Sequence, residues 1–266
     1  MIEASFAGSE GIIVYHRWDP PGDPQRIVVL VHGYAEHGLR YDHVADVLAT
    51  LGAVVYAPDH IGHGRSEGER ALITVFDPVV DDIRTLVTIA SDAHPGRTLV
   101  MVGHSMGGLL TARYAQRYPE SLAGIVFLGA VIGDWDWARE VLALPELPYQ
   151  EPEYSGMSRD PEAVAGYRDD PLVYHGQYKR PLLEAEAAAL DRMGAEMDRL
   201  TMPVAFFHGM ADPYVAYQTS QAAVQRMPAT DKSYHLYEGA RHELVNETNR
   251  GEIIAAVAAF VERVAG

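Results

Sequence analysis

The pentapeptide Gly103-His104-Ser105-Met106-Gly107 follows directly on the apolar run Thr98 to Val102 and leads directly into a helix-like stretch, Gly108 to Tyr118. A strand, an abrupt turn and a helix with serine at the apex leave few architectures open, because this turn forms where a sheet strand feeds a helix. Small residues two before and two after the serine let the backbone bend sharply and lift the hydroxyl out of the sheet. A hydroxyl so placed suits attack on an acyl carbon. The pentapeptide alone is weak evidence in a chain with 24 glycines. The case rests on its flanking elements and on finding a base and an acid downstream.

Short apolar runs and helix-like stretches alternate on both sides of this elbow. That pattern predicts an α/β fold, a mostly parallel central sheet with helices on both faces. Ile2 to Phe6 and Gly11 to Trp18 read as a hairpin, Ile27 to His32 as a central strand and Ala53 to Ala57 as the next. Asp42 to Leu51 places Val44, Leu48 and Leu51 on one helical face, and Val79 to Ala93 repeats that spacing with Val79, Ile83, Leu86, Val87 and Ala90. After the elbow come a helix stopped at Pro119 and a strand at Gly124 to Leu128. Strands resume at Pro203 to Gly209 and Lys232 to Tyr237, and a last amphipathic helix covers Ile253 to Val264.

The alternation lapses between Ala130 and Leu200, where no buried strand is legible. Pro145, Pro148 and Pro152 preclude a long helix early in this stretch, while Asp160-Pro161 and Arg180-Pro181 read as helix starts. The expected organisation is therefore a core of residues 1–129 and 201–266, with residues 130–200 as a helical cap inserted over the catalytic face.

Composition narrows the partners. Lys and Arg number 21 against 37 Asp and Glu, a formal charge of −16 that disfavours nucleic acid and anionic surfaces. Cys is absent, which removes disulfides, thiolate metal sites and a Cys nucleophile. There is no apolar run long enough to span a bilayer and no secretory signal at Met1 to Phe6, so a cytoplasmic setting is expected, peripheral to membranes at most. No Gly-x-Gly-x-x-Gly fingerprint and no His-x-x-x-His pair occurs, so neither a nucleotide cofactor nor a metal is expected.

A serine needs an imidazole to take its proton, and the imidazole needs a carboxylate to fix its tautomer. In folds with such an elbow the order is Ser, acid, His, the last two in loops after later strands. Asp212, in His208-Gly209-Met210-Ala211-Asp212, and His242, in Gly239-Ala240-Arg241-His242, meet that rule. The chain has 12 His. His60 and His63 precede the serine in a glycine turn that reads as structural, His104 should point away from the serine hydroxyl, and His235 falls within a strand. The backbone amides of Met106, after the serine, and Tyr34, after the strand Ile27 to His32, are the candidate oxyanion donors.

These segments together carry a resemblance. His32-Gly33-Tyr34-Ala35-Glu36-His37, Arg40-Tyr41-Asp42-His43-Val44-Ala45, Pro58 to Ser66, Gly103 to Gly108 and His242-Glu243-Leu244-Val245-Asn246-Glu247 resemble the monoacylglycerol lipases of the α/β-hydrolase fold, the mycobacterial type above all. The likeness extends into the insertion at Ser158 to Glu162 and Asp170 to Gly176. It implies hydrolysis of a monoacylglycerol ester to glycerol and fatty acid without cofactor, by Ser105, Asp212 and His242, with Tyr34 and Met106 as oxyanion donors. It also implies that Glu36, with Arg40 nearby, helps hold the glycerol end. The implied partner is a small neutral lipid ester, met in transient contact with a lipid interface, with no obligate protein partner. Two departures stand out: Ala35 replaces the usual Gly, and Val131 to Tyr154 is shorter than the usual lid region. The alternatives are a lysophospholipase, a carboxylesterase on short-chain esters and, more remotely, a non-catalytic ligand-binding protein of the same fold. Trp135 and Trp137 suit either packing or a membrane interface, packing being the expectation.

Overall fold

In the computed structural model, which describes residues 1–266, the chain begins with an antiparallel hairpin of β1 (Ile2–Ala7) and β2 (Ile12–Trp18). It continues through β3 (Arg26–Val31), α1 (Asp42–Thr50), β4 (Ala53–Pro58), α2 (Phe76–Ala93), β5 (Thr98–His104), α3 (Met106–Arg117) and β6 (Gly124–Leu128). Three helices follow without a strand: α4 (Asp136–Leu142), α5 (Pro161–Asp169) and α6 (Arg180–Ala195). The sheet then resumes with β7 (Val204–Gly209), α7 (Tyr217–Arg226), β8 (Lys232–Tyr237) and α8 (Arg250–Ala265). Eight strands form one sheet in the order β1-β2-β4-β3-β5-β6-β7-β8, antiparallel only where β2 meets β1 and β4. This is the α/β-hydrolase architecture, as the alternating pattern and the resemblance predict.

Every residue of β3, β4, β6 and β7 is buried, because helices cover both faces of the sheet. Successive side chains serve opposite cores. Ile27, Val29, Tyr56, Met101, Phe127 and Phe206 face α2 and α3, while Val28, Leu30, Val55, Val100, Val126 and Phe207 face α1 and α8. A continuous apolar run is the sequence image of that double cover.

Local chemistry sets the helix starts. At α5 the Asp160 side chain accepts from the Glu162 N–H at 3.0 Å and Pro161 fills the first turn, where it loses no hydrogen bond. Pro181 stands likewise at the start of α6. Sequence periodicity missed α4 and α7. The first has seven residues and buries only Ala138 and Val141; the second buries only Ser220, Ala223 and Val224, too small and mixed a stripe to register as amphipathic. No helix is long and apolar enough to cross a membrane.

Candidate active site

The elbow between β5 and α3 is held by close packing. Ser105 has φ 52° and ψ −123°, a region that non-glycine residues enter at a cost of about 1–3 kcal/mol. A Cβ on Gly103 would fall 2.4 Å from the Gly107 carbonyl oxygen, and one on Gly107 only 2.1 Å from that of Val31. Only glycine fits at either place, so the small residues of the motif let helix and strand approach. The strain is balanced by bonds on both sides: Ser105 N–H donates to the Leu128 carbonyl at 3.1 Å, and its own carbonyl accepts from Gly108 and Val131.

Asp212 follows β7 and His242 follows β8, so parallel neighbours deliver both to the carboxyl rim of the sheet. His242 Nδ1 lies 2.7 Å from Asp212 Oδ2. The other oxygen of Asp212 accepts the backbone N–H groups of Tyr214 and Val215 at 2.9 and 3.0 Å. His208 Nε2 also stands 3.2 Å from Asp212 Oδ2. Burial alone would raise the Asp212 pKa, but the imidazoles of His242 and His208 hold it well below the ordinary carboxylate range. Ser105 and His242 line one cavity of about 80 Å³, together with Tyr34 and Met106. With Nδ1 engaged by a carboxylate, the imidazole has its second nitrogen free to accept a proton.

The loop after β3 supplies the opposite wall. The Tyr34 N–H has no acceptor within the protein, and Met106, first residue of α3, has an N–H beyond reach of any intrahelical acceptor. Ala35 has φ +67°, a left-handed backbone that favours glycine, and its carbonyl accepts the Tyr174 N–H at 2.8 Å. The insertion grips the histidine loop as well, since Gly156 and Met157 accept from the N–H groups of His242 and Glu243 at 3.3 and 2.7 Å.

Glu36 is 2% exposed, and its oxygens are taken by donors of this loop, of the turn that follows it and of β5. Oε1 accepts from Gly33 N–H (2.6 Å) and Tyr41 Oη (2.8 Å) and meets His104 Nδ1 at 2.9 Å, while Oε2 accepts from Arg40 Nε at 3.2 Å. Burial would raise the Glu36 pKa, yet the bond to His104 and the Arg40 guanidinium drive it well below 4.5. The same bond raises the His104 pKa against the pull of its burial. Arg40 also binds Glu243 at 2.6 Å, tying the oxyanion loop to the residue beside His242. The Glu36 carboxylate thus braces the loop, an arrangement that leaves little capacity for a glycerol hydroxyl.

Sequence reasoning did not single out His208, Glu243 or Glu186. The i, i+4 spacing of His208 and Asp212 and the adjacency of Glu243 to His242 were available signals; nothing marked Glu186, an acid in an apolar helix face. His60 and His63 lie behind the oxyanion loop, away from the Ser105 cavity, with the His60 N–H donating to His32 Nε2 at 3.0 Å. Burial lowers the His63 pKa to about 3, so that ring is neutral.

A second cavity of about 300 Å³ adjoins the first, sharing Tyr34, Trp135, Met157, Tyr167, Tyr178 and Tyr214 with it. Trp135 and Trp137 are part-buried in its wall, ring centroids 5.4 Å apart.

The family model described as "Serine aminopeptidase, S33" matches residues 22–249. A monoacylglycerol lipase of Mycolicibacterium smegmatis is 37% identical over 269 residues, 97% of this chain and 96% of its own. The monoglyceride lipase of Homo sapiens is 32% identical across 86% of this chain and 79% of its own. Among solved structures, the Paleococcus ferrophilus monoacylglycerol lipase superposes with a TM-score of 0.81 at 25% identity, covering 95% of this chain and 99% of that one.

Proposed function

This chain belongs to the serine aminopeptidase family of α/β-hydrolases, and from that membership and the chemistry of its rim we infer that it is a serine hydrolase cleaving monoacylglycerols to glycerol and fatty acid. The supporting observation is His242, held by Asp212 at 2.7 Å and sharing a cavity wall with a strained, outward-turned Ser105. The full-length likeness to a mycobacterial monoacylglycerol lipase supports the substrate class. A cavity of about 300 Å³ lined by aromatic side chains accommodates an acyl group beside the nucleophile.

In the proposed reaction Ser105 Oγ attacks the ester carbonyl while His242 Nε2 takes its proton. The tetrahedral oxyanion is met by the Tyr34 and Met106 amides. Collapse breaks the ester C–O bond, and the imidazolium returns the proton to the departing glycerol oxygen. Water then attacks the acyl-enzyme, giving its proton to His242 and releasing the fatty acid and Ser105. Asp212 keeps Nδ1 protonated and steadies the imidazolium. Glu36 is proposed as the brace of the oxyanion loop, with a glycerol contact at most secondary. Residues 130–200 act as a cap over a core of residues 1–129 and 201–266. The setting is cytoplasmic with transient contact at a lipid surface, a role suited to the exposed Leu144 and Tyr149 on the cap.

Hydrolysis rates across monoacylglycerols of graded chain length, with Ser105→Ala as blank, test this reading. Ser105→Ala is expected to lower turnover by several orders of magnitude with the fold intact, and to abolish labelling by a fluorophosphonate. Near-normal activity in that variant would sink the assignment. A preference for two- to four-carbon acyl groups would replace the lipase with a carboxylesterase.

A further inference from the structure

Glu186, on α6, lines the cavity that holds Ser105, and only 1% of its surface is exposed. Neither carboxyl oxygen meets a cation or a hydrogen-bond donor; burial is the sole influence on its pKa, raising it to about 8. It is not alone. Tyr34 Oη is also buried without a partner, and the Tyr34 ring stacks on Tyr178 at 4.5 Å, both rings lining the two adjoining cavities. Glu186 lies close enough to these tyrosines that, after burial, its charge is among the influences disfavouring their ionisation.

The cavity lining is of two kinds. One is formed by Glu36, His104 and Glu243, whose polar atoms are occupied by one another and by Arg40 and Tyr41. The other is Val131, Trp135, Tyr178 and Val215 with Glu186 among them, on α6 where it packs against α3 and α4. Of these, Trp135 and Tyr178 also line the larger cavity. On the ester-hydrolase reading, on which this argument rests, the acyl group enters there.

A carboxyl buried without a partner costs stability unless something pairs with it. At neutral pH a protonated carboxyl both donates and accepts, as a hydroxyl does. A plain hydrocarbon chain would leave the Glu186 carboxyl, which lines the cavity, unpaired, whereas a hydroxyl on the chain would satisfy it. We propose that Glu186 sets acyl specificity by pairing with a hydroxyl carried on the acyl group, so that the preferred substrates are monoacylglycerols of hydroxylated chains.

The test is kcat/KM on monoacylglycerols of one chain length, unsubstituted or with a single hydroxyl at successive positions, for the wild type, Glu186→Gln and Glu186→Leu. Glu186→Met serves as a second apolar variant should the leucine fail to fold. The wild type is expected to prefer one hydroxylated isomer over the plain ester by at least about tenfold, since an unpaired buried polar group penalises the analogue lacking the hydroxyl. The apolar variants should erase that preference, gaining on the plain ester and losing on the hydroxylated one, while Gln retains most of it. No preferred isomer in the wild type, or an equal change on both ester types in the apolar variants, overturns the proposal. Turnover of plain esters without preference would fail Glu186 alone. No turnover of any ester would fail the hydrolase reading, and the proposal with it.

Discussion

The sheet rim and the α6 wall of the same site treat a buried carboxyl in opposite ways. At the rim Asp212 accepts two backbone N–H groups and stands against two imidazoles, and its pKa falls well below 3.8. On α6 Glu186 has no partner, and burial raises its pKa to about 8. One carboxyl is fixed as an anion and the other as a neutral acid at neutral pH, the separation that lets one pocket house two roles. The rim is complete without substrate. The wall is complete only with something bound.

The most severe challenge to this contrast is Asp212→Asn. The amide keeps the size of the side chain but loses the charge that stabilises the imidazolium, and it favours the wrong His242 tautomer. Turnover on the best ester should fall about 10³- to 10⁴-fold with little change in KM. Activity within tenfold of wild type would mean that the rim does not depend on its anion.

How much of this was legible beforehand follows the same division. The elbow, Asp212 and His242 could be read because each sits at a strand end, and β5, β7 and β8 announce themselves as apolar or alternating runs. The fold was legible for the same reason. Pairings made by folding alone were not. His104 with Glu36 joins residues 68 apart in sequence, and Arg40 with Glu243 joins residues 203 apart. No spacing rule reaches that far. Glu186 was invisible for a different reason: in α6 it reads as one more acid on a helix, and only the packing of α6 against α3 and α4 turns it inward.

The two carboxyls also give opposite dependences of stability on pH. Asp212, with its folded pKa depressed, contributes stability that is fully present above its ordinary 3.8 and lost as pH falls through the lower folded value. Glu186, with its folded pKa raised, is accommodated best below its ordinary 4.5, and the folded state loses ground as pH rises from there through about 8. That loss amounts to about 1.4 kcal/mol per pH unit across the window. Urea unfolding of wild type and Glu186→Leu should therefore show the variant's advantage growing between pH 5 and pH 8, then levelling off. A difference constant across that range would mean that Glu186 finds a partner in solution, and the contrast with Asp212 would collapse.

The finest test uses two tyrosines of the oxyanion loop region. Tyr41 is 4% exposed and donates its hydroxyl to the Glu36 carboxylate at 2.8 Å, whereas Tyr34 Oη is buried and donates to nothing. Tyr41→Phe removes a charge-assisted hydrogen bond and leaves Glu36 one donor short, so a loss of about 1.5–3 kcal/mol is expected. Tyr34→Phe removes only an unpaired group, and stability should stay within about 0.5 kcal/mol of wild type or rise. The backbone amide of residue 34 is untouched, so the proposed oxyanion donor remains. Denaturant melts of the two variants at one pH decide the matter. Equal losses would show that Tyr34 Oη is paired after all, and with it the wall that holds Glu186 would resemble the rim.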